Sequence, residues 1–526
     1  YTYKSNLMNR EGIIIPGMPN FSLLEGEAIT LKDNGSYDWG LVGAFYRISY
    51  SYKGKYLFET SGRYDGNSKF PSNQRWGFFP SGSAGWRISE ESFLRNAEWL
   101  DNLKLRVSVG SAGNGLISDT YAYLSTMSIS QSSLLNNGSV FNYTAAPSPI
   151  PDGLTWETAT TYDLGVDFEA FNGRLNFSAD IYRKKTTDMY VVGEELPAVY
   201  GNSAPKGNYA DMHTDGWEAS ISWRNTHTVG GKPLSYNIKV SVWDNTSKIT
   251  RYTSKTGTLP TNYKVNYYEG MTLGEIWGYR CDGLFQSDEE AQTYANYSKF
   301  TNRSAKWSAG DPRYLDLNGD GYVNNGNNTI YDHGDLEKIG NTTPRYCYSI
   351  QGGIRWNGIG LSMMWQGVGK RDWYPAKESG YFWGQYGRPY SMALPWHNSD
   401  RWSPTNRGAY WPRLVGYSAS DSGLILAQPN TRYVQDASYI RLKNLTIDYN
   451  FPKVNKIGLQ ALKIYVSGEN LLTFSPLKKY AKNYDPEGIY AGDADYGTNK
   501  FGSDNFGDGD GYPVMKSYTI GLSITF

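Results

Sequence analysis

At 526 residues the chain is long enough for several ordinary domains or for one very large sheet. Its 51 Lys and Arg balance its 51 Asp and Glu, which excludes a basic field that would recruit nucleic acid, and no window holds the roughly 18 apolar residues of a membrane helix. Tyr and Trp are abundant, at 45 and 17, which suits the interfacial girdles of a β-barrel and equally suits stacking on sugars.

Residues 1–40 read as a polar segment of an outer loop. Leu41 to Tyr52 and Lys55 to Tyr64 form a hairpin around Lys53-Gly54, and in the second strand Tyr56, Phe58, Thr60 and Gly62 alternate with Leu57, Glu59, Ser61 and Arg63. Phe79 to Ile88 and Leu103 to Gly110 follow, the latter with Leu103, Leu105, Val107 and Val109 on one face. A Ser-, Asn- and Tyr-rich excursion fills 111–155. Thr161 to Phe171 and Arg174 to Lys184 flank Asn172-Gly173, a favoured hairpin turn. Gly216 to Arg224 and Leu234 to Asp244 are further strands, and 245–342 is a large excursion holding a short helix N-capped by Ser287. Arg345 to Trp356 and Ile359 to Gly367 flank Asn357-Gly358, and a second excursion, 370–432, is crowded with Trp and Tyr. Tyr439 to Phe451, Leu462 to Thr473 and the closing SYTIGLSITF complete the set.

That last stretch places Tyr518, Ile520, Leu522, Ile524 and Phe526 on one face and Ser517, Thr519, Gly521, Ser523 and Thr525 on the other, as a strand between lipid and lumen requires. About thirteen strands of roughly ten residues, with short turns at one end and long loops at the other, predict an all-β, transmembrane antiparallel β-barrel with long extracellular loops. A soluble sandwich shares the alternation but rarely needs so many such strands with an uncharged face. Cys281 and Cys347 exclude a disulfide framework, and Cys347 inside a strand pattern favours two free thiols.

Asp316-Leu317-Asn318-Gly319-Asp320-Gly321-Tyr322 is the first half of a calcium loop of EF-hand type. Side-chain oxygens of Asp316, Asn318 and Asp320 and the main-chain carbonyl of Tyr322 converge on one ion, while Gly321 makes the sharp turn. The twelfth position is Asn327 rather than Glu, so Asn324, Asp332 or Asp335 must complete the shell. The predicted ion is structural Ca2+, with Mg2+ as the alternative. In the second excursion Trp373, Trp383, Trp396 and Trp402, with Asp372 beside them, are candidate sugar-binding residues; the competing reading makes these rings the local core of a large loop. No zinc-binding His spacing, nucleophile elbow or phosphate loop points to catalysis.

The segments RYDGNSKFPSNQRWGFFPSGSAGWRISEE, WETATTYDLGVDFEAFNGRLNFSADIYRKKTTDM, GDPRYLDLNGDGYVNNGNNTIYDHGDLEKIGNTTPRY, ASYIRLKNLTIDYNFP and YPVMKSYTIGLSITF resemble, in order, successive blocks of the SusC-like TonB-dependent transporters, outer-membrane importers of Bacteroidota. The resemblance implies a barrel of about 22 strands with an N-terminal plug inside it, a TonB-contacting segment, and a SusD-like surface lipoprotein as a lid. Residues 41–526 then correspond to the C-terminal portion of that barrel, about 13–14 strands, and the plug, TonB box and remaining strands are expected outside this sequence. The resemblance favours Asp335 as the residue that closes the metal shell, and oligosaccharide as cargo, with oligopeptide second. A passive porin or adhesin is the reading from another class.

Overall fold

The computed structural model describes residues 2–6, 13–14, 22–23 and 36–115, and, apart from short loop stretches of which the longest are 295–306 and 415–425, residues 117–489 and 514–526. Fourteen antiparallel strands form one sheet in which each strand bonds to its neighbours in sheet order. They are β1 (Thr2–Asn6), β2 (Ser36–Tyr52), β3 (Tyr56–Asn67), β4 (Trp76–Arg87), β5 (Leu100–Asn114), β6 (Glu157–Ala170) and β7 (Leu175–Val192). Then follow β8 (Lys206–Val229), β9 (Lys232–Tyr252), β10 (Arg345–Trp356), β11 (Ile359–Lys370), β12 (Tyr439–Asn450), β13 (Ala461–Phe474) and β14 (Ser517–Thr525). The two edges, β1 and β14, do not pair with each other among the described residues.

At one end the strands are joined tightly. Lys53-Gly54, Gly230-Gly231 and Asn357-Gly358 all have positive φ, as the two-residue turn whose twist matches the flanking strands requires. At Asn172-Gly173 the preceding Phe171 also enters the left-handed region, so that loop is longer than the two residues expected. At the other end lie the long excursions.

Register explains which way each face points. Phe58 lies opposite Ala84, Ala84 opposite Val107, Val107 opposite Leu164, Leu164 opposite Ile181, and Ile181 opposite Trp217. On β9 that row meets Asp244, which is bonded to Arg345, and the apolar face continues in neighbouring rows, through Ile221, Val240, Ile350 and Trp365 and through Leu361, Ile447, Val466 and Ile520 to the terminal strand. These side chains stand uncovered: Ile48 is 62% and Ile520 80% exposed. A continuous apolar face with no protein over it is the outer wall of a barrel in lipid. The opposite face carries Ser61, hydrogen-bonded to Ser81 at 2.6 Å, and Arg106, which bridges Asp167 and Asp180 across two strands. That face is the lumen wall. Rings gather near the short turns, with Tyr52 on Tyr56 (6.4 Å), Trp99 on Phe168 (6.2 Å) and Tyr449 on Phe451 (4.7 Å), as an interfacial girdle does.

The structure corrects three boundaries. Residues 1–40 are not wholly loop: Thr2–Asn6 pairs with Ser36–Gly40, while most of the stretch between lies outside the described residues. The excursions expected to start at 111 and 245 start after Asn114 and Tyr252, and the first contains its own hairpin, Ile129–Asn136 with Ser139–Thr144. The strands β8 and β9, at 24 and 21 residues, far exceed the ten expected. Beyond the membrane both faces become polar and the alternation fades, but the backbone ladder continues.

The excursions between β9 and β10 and between β11 and β12, with the segment after β13, share one core that includes Tyr279, Phe285, Tyr314, Phe382, Tyr433 and Tyr484. Arg413 ties the two excursions together through the fully buried Asp311 at 2.6 Å. The predicted helix is present as α1 (Asp288–Thr293), and the Ser287 side chain accepts from the Glu290 N–H as its cap.

Candidate functional site

The aromatic loop has folded onto itself. Trp373 is 3% exposed and Trp383 fully buried, so neither presents a face for a sugar, contrary to the sequence expectation. Trp383 meets Phe382 at 4.8 Å, Tyr433 at 5.3 Å and Trp411 at 6.2 Å, all edge to face, the geometry ring quadrupoles prefer. Trp396 is half-buried against the same core, and the half-buried Trp402 ring lies over Gly310, where a Cβ would meet it at 2.5 Å. Asp372 accepts from the Asn341 N–H at 2.9 Å and sits in a short two-strand pairing with Asp436. These five residues are brought together, but as packing and tether.

His397 lies in the middle of this core. Phe382 O is 2.7 Å from Nε2, which therefore carries the proton, while Nδ1 is buried with no hydrogen-bond partner and Trp411 stands edge-on at 4.5 Å. Burial pushes its pKa down to about 4 from 6.5. Between those values the unfolded chain binds the extra proton, so stability is fully present above pH 6.5 and falls as pH drops towards 4. The expected loss is roughly 3 kcal/mol, confined to the loop body. Thermal melts from pH 7.5 to 4.5 with near-ultraviolet circular dichroism check this, and His397→Asn is expected to flatten the dependence.

The acidic turn is built as a tight loop. Asp316 accepts from the N–H groups of Gly319 (2.7 Å) and Gly321 (2.8 Å), Asn318 from Asp320 (2.9 Å), and Asp320 from Tyr322 (2.8 Å). Gly319 and Gly321 adopt φ of 74° and 83°, and the fully buried Val323 anchors the turn below. Asp335 stands elsewhere in the scheme. Its carboxylate is fully buried and accepts from Leu317 N–H (2.7 Å) and Asn324 N–H (2.8 Å), so it braces the loop in place of the ligand role expected. Among the described residues no three His, Cys, Asp or Glu side chains gather as a metal cluster. Two carboxylates, an amide oxygen and one carbonyl on the turn are oxygen donors of the type a hard cation takes.

The β-barrel model of the TonB dependent receptor-like family matches residues 16–471. This chain belongs to that family. TonB-dependent receptor P3 of Formosa agariphila is 30% identical over 520 residues, covering 96% of this chain and 47% of that protein. The TonB-dependent receptor SusC of Bacteroides thetaiotaomicron is 25% identical over 499 residues, covering 92% and 44%. The RagAB peptide transporter shares the fold, with a TM-score of 0.69 at 20% identity over 96% of this chain and 49% of that one. The chain thus spans about half the length of the curated relatives it matches. It is an outer-membrane protein of SusC-like type.

Within this receptor barrel, two features of the lumen wall went unread in the sequence. At the loop end of β2–β5 a cleft of about 820 Å³ is lined by Arg47, Arg63, Asp65, Asn67 and Trp156. On β12, Arg441 is 2% exposed and reaches the segment after β13: its guanidinium bonds Asp485 at 2.6 Å and Glu487 at 2.5 Å, and Lys443 bonds the same Glu487 at 2.6 Å. Arg371 donates to the carbonyls of Pro486 and Ile489. Residues 475–489 are thereby strapped against the wall. Arg441 has the sequence appearance of any lumen-facing cation, and its partners lie more than forty residues away in a turn-rich stretch.

Proposed function

We propose that this chain forms the lumen wall and outer loops of a TonB-dependent importer that moves an oligosaccharide across the outer membrane. A SusD-like lipoprotein would close over the loop body, and TonB would act through a plug and contact segment supplied beyond these residues. The observation that carries the reading is the two-faced sheet, apolar outward and polar inward, with its long loops folded into one body at one end. The protein's work on this reading is binding and passage, with no bond made or broken. Hydroxyls at Ser61, Ser81, Ser178 and Ser220 face the lumen, and neighbouring charges such as Arg106 are already paired within the wall, which favours a neutral polyhydroxylated cargo. Oligopeptide is the second reading, favoured by the likeness to a peptide transporter.

Native mass spectrometry of the detergent-purified assembly tests this. Release of a lipidated subunit and an oligosaccharide is the expected result, and released peptides would move the assignment to the second reading. A species that binds neither lipoprotein nor ligand would fit a passive porin or adhesin and overturn the importer.

A structural Ca2+, or Mg2+ in its place, is proposed for the turn of Asp316, Asn318, Asp320 and the Tyr322 carbonyl. Its role there is to neutralise two nearby carboxylates and hold the outer loop. Chelation is expected to lower the melting temperature of the loop body by several degrees, and Asp320→Asn to abolish that sensitivity; an unchanged melt with and without Ca2+ removes the ion.

A further inference from the structure

The outward face of the barrel carries a second chemistry on β7, β8 and β9. Above Ile181 and Trp217 the next outward row is Arg183, Asp215 and Thr246, and the row above that is Lys185, His213 and Lys248. The side chains follow this register. Arg183 forks onto Asp215 at 2.5 and 2.8 Å, His213 Nε2 is 3.7 Å from the same carboxylate, and the Lys185 ammonium lies 5.8 Å from the Tyr162 ring centre. Lys185 and Lys248 are exposed, and neither has a carboxylate partner among the described residues. Adjacent strands are about 4.8 Å apart, so the two ammonium-bearing positions stand roughly 10 Å apart with His213 between them. Arg183, Lys185 and Lys248 thus share this part of the face with Asp215, while Asp244, opposite Trp217 in the row below, is bonded to Arg345. The next tier, Asp188, Asp211 and Arg251, is bonded within itself. Across the ladder, the outward residues on β6 and β5 are Thr160 and Ser111, both uncharged, so the patch is local.

Immediately below lies an apolar groove of about 760 Å³ on the same face, lined by Ala84, Val107, Leu164 and Ile181 and ending at Arg183 and Asp215. Gly82 and Ala84 leave its floor recessed where neighbouring outward positions such as Phe58 and Trp86 carry rings. An uncompensated Lys facing hydrocarbon is costly at mid-bilayer and far less so at the interface, so two of them at the upper margin of the apolar band belong at headgroup level. A ligand that fits both parts is amphiphilic: an anion for the lysines and a chain for the groove.

We propose that this is a binding site for a lipid with an anionic phosphate headgroup, held by Lys185 and Lys248, oriented by Arg183 and His213, with an acyl chain along the groove. The site lies on the outer wall and is separate from the import path.

The test is native mass spectrometry of the full-length protein in neutral detergent, titrated with phosphatidic acid and with phosphatidylcholine. One phosphatidic acid is expected to bind about tenfold or more tightly than phosphatidylcholine, since each lysine near a headgroup contributes about 1 kcal/mol. The double variant Lys185→Gln, Lys248→Gln is expected to lose that preference. The pair Lys185→Arg, Lys248→Arg should keep it, as should Lys239→Gln, whose side chain faces the lumen between Ile238 and Val240. Equal binding of the two lipids, or a double Gln variant that binds like the wild type, overturns the proposal. Full displacement of the lipid by millimolar inorganic phosphate would show a phosphate site without a lipid role and overturn it too.

Discussion

Replacement of Arg441 by methionine is expected to release residues 475–489 from the lumen wall. The guanidinium is almost wholly buried and is shared among Asp485, Glu487 and the Thr473 hydroxyl. Without it two carboxylates remain side by side with Lys443 as their only nearby cation on β12. Breaking a buried ion pair from one side costs roughly 3–5 kcal/mol, because the surviving charge keeps its desolvation penalty. The membrane part of the barrel does not depend on this clamp, so the cost appears as local opening. Limited proteolysis reads it directly, since Lys478, Lys479 and Lys482 lie in the segment: cleavage there should rise by two or more orders of magnitude while the barrel band stays folded. Lysine at 441 should rescue little, because an ammonium cannot fork across two carboxylates. Unchanged cleavage in the methionine variant would mean that Arg371 and the Tyr484–Ser379 hydroxyl contact suffice to hold the segment.

The second large effect is expected from Trp411→Ala. The ring is fully buried, stacked on Tyr386 at 5.8 Å and on Tyr433 at 5.7 Å, and met edge-on by Phe382 at 5.0 Å. Truncating such a ring removes its burial and leaves a cavity, for roughly 3–5 kcal/mol. Near-ultraviolet circular dichroism from the loop body should collapse well below the barrel transition, and Trp411→Phe should retain most of it. The same logic separates packing from recognition at Trp383. With packing as its role, Trp383→Phe lowers the loop melting temperature before it changes cargo affinity. A drop in affinity at an unchanged melting temperature would return that ring to the binding surface.

The contrast between these loops and the strands shows where local sequence is enough. A side chain in a strand points to the face opposite its neighbour, whatever the partner strand. The alternation in Leu103 to Gly110, in Thr161 to Phe171 and in the terminal stretch therefore fixed which residues meet lipid, and the register of those strands with their neighbours agrees with it. Turn chemistry is equally local: Asn357-Gly358 and Lys53-Gly54 needed only their own backbone freedom, and Ser287 needed only the N–H of Glu290. The conformation of the acidic turn at 316–322 is local in the same way, because each side chain bonds an N–H within five residues.

What the tertiary structure decided is everything that depends on which distant segments meet. A loop tryptophan has the same composition signal whether its face meets a sugar or another ring. Only the convergence of residues 373, 383, 411, 433 and 484 buried these rings. Asp335 became a brace because folding brought the N–H groups of Leu317 and Asn324 to it. Arg441 became a clamp, and Lys185, His213 and Lys248 a single row, only when separate strands were laid in register. The lipid and lumen faces were written in the alternation of single strands. The clamp, the loop core and the cationic row arise from contacts among segments far apart in the chain, which no local pattern encodes.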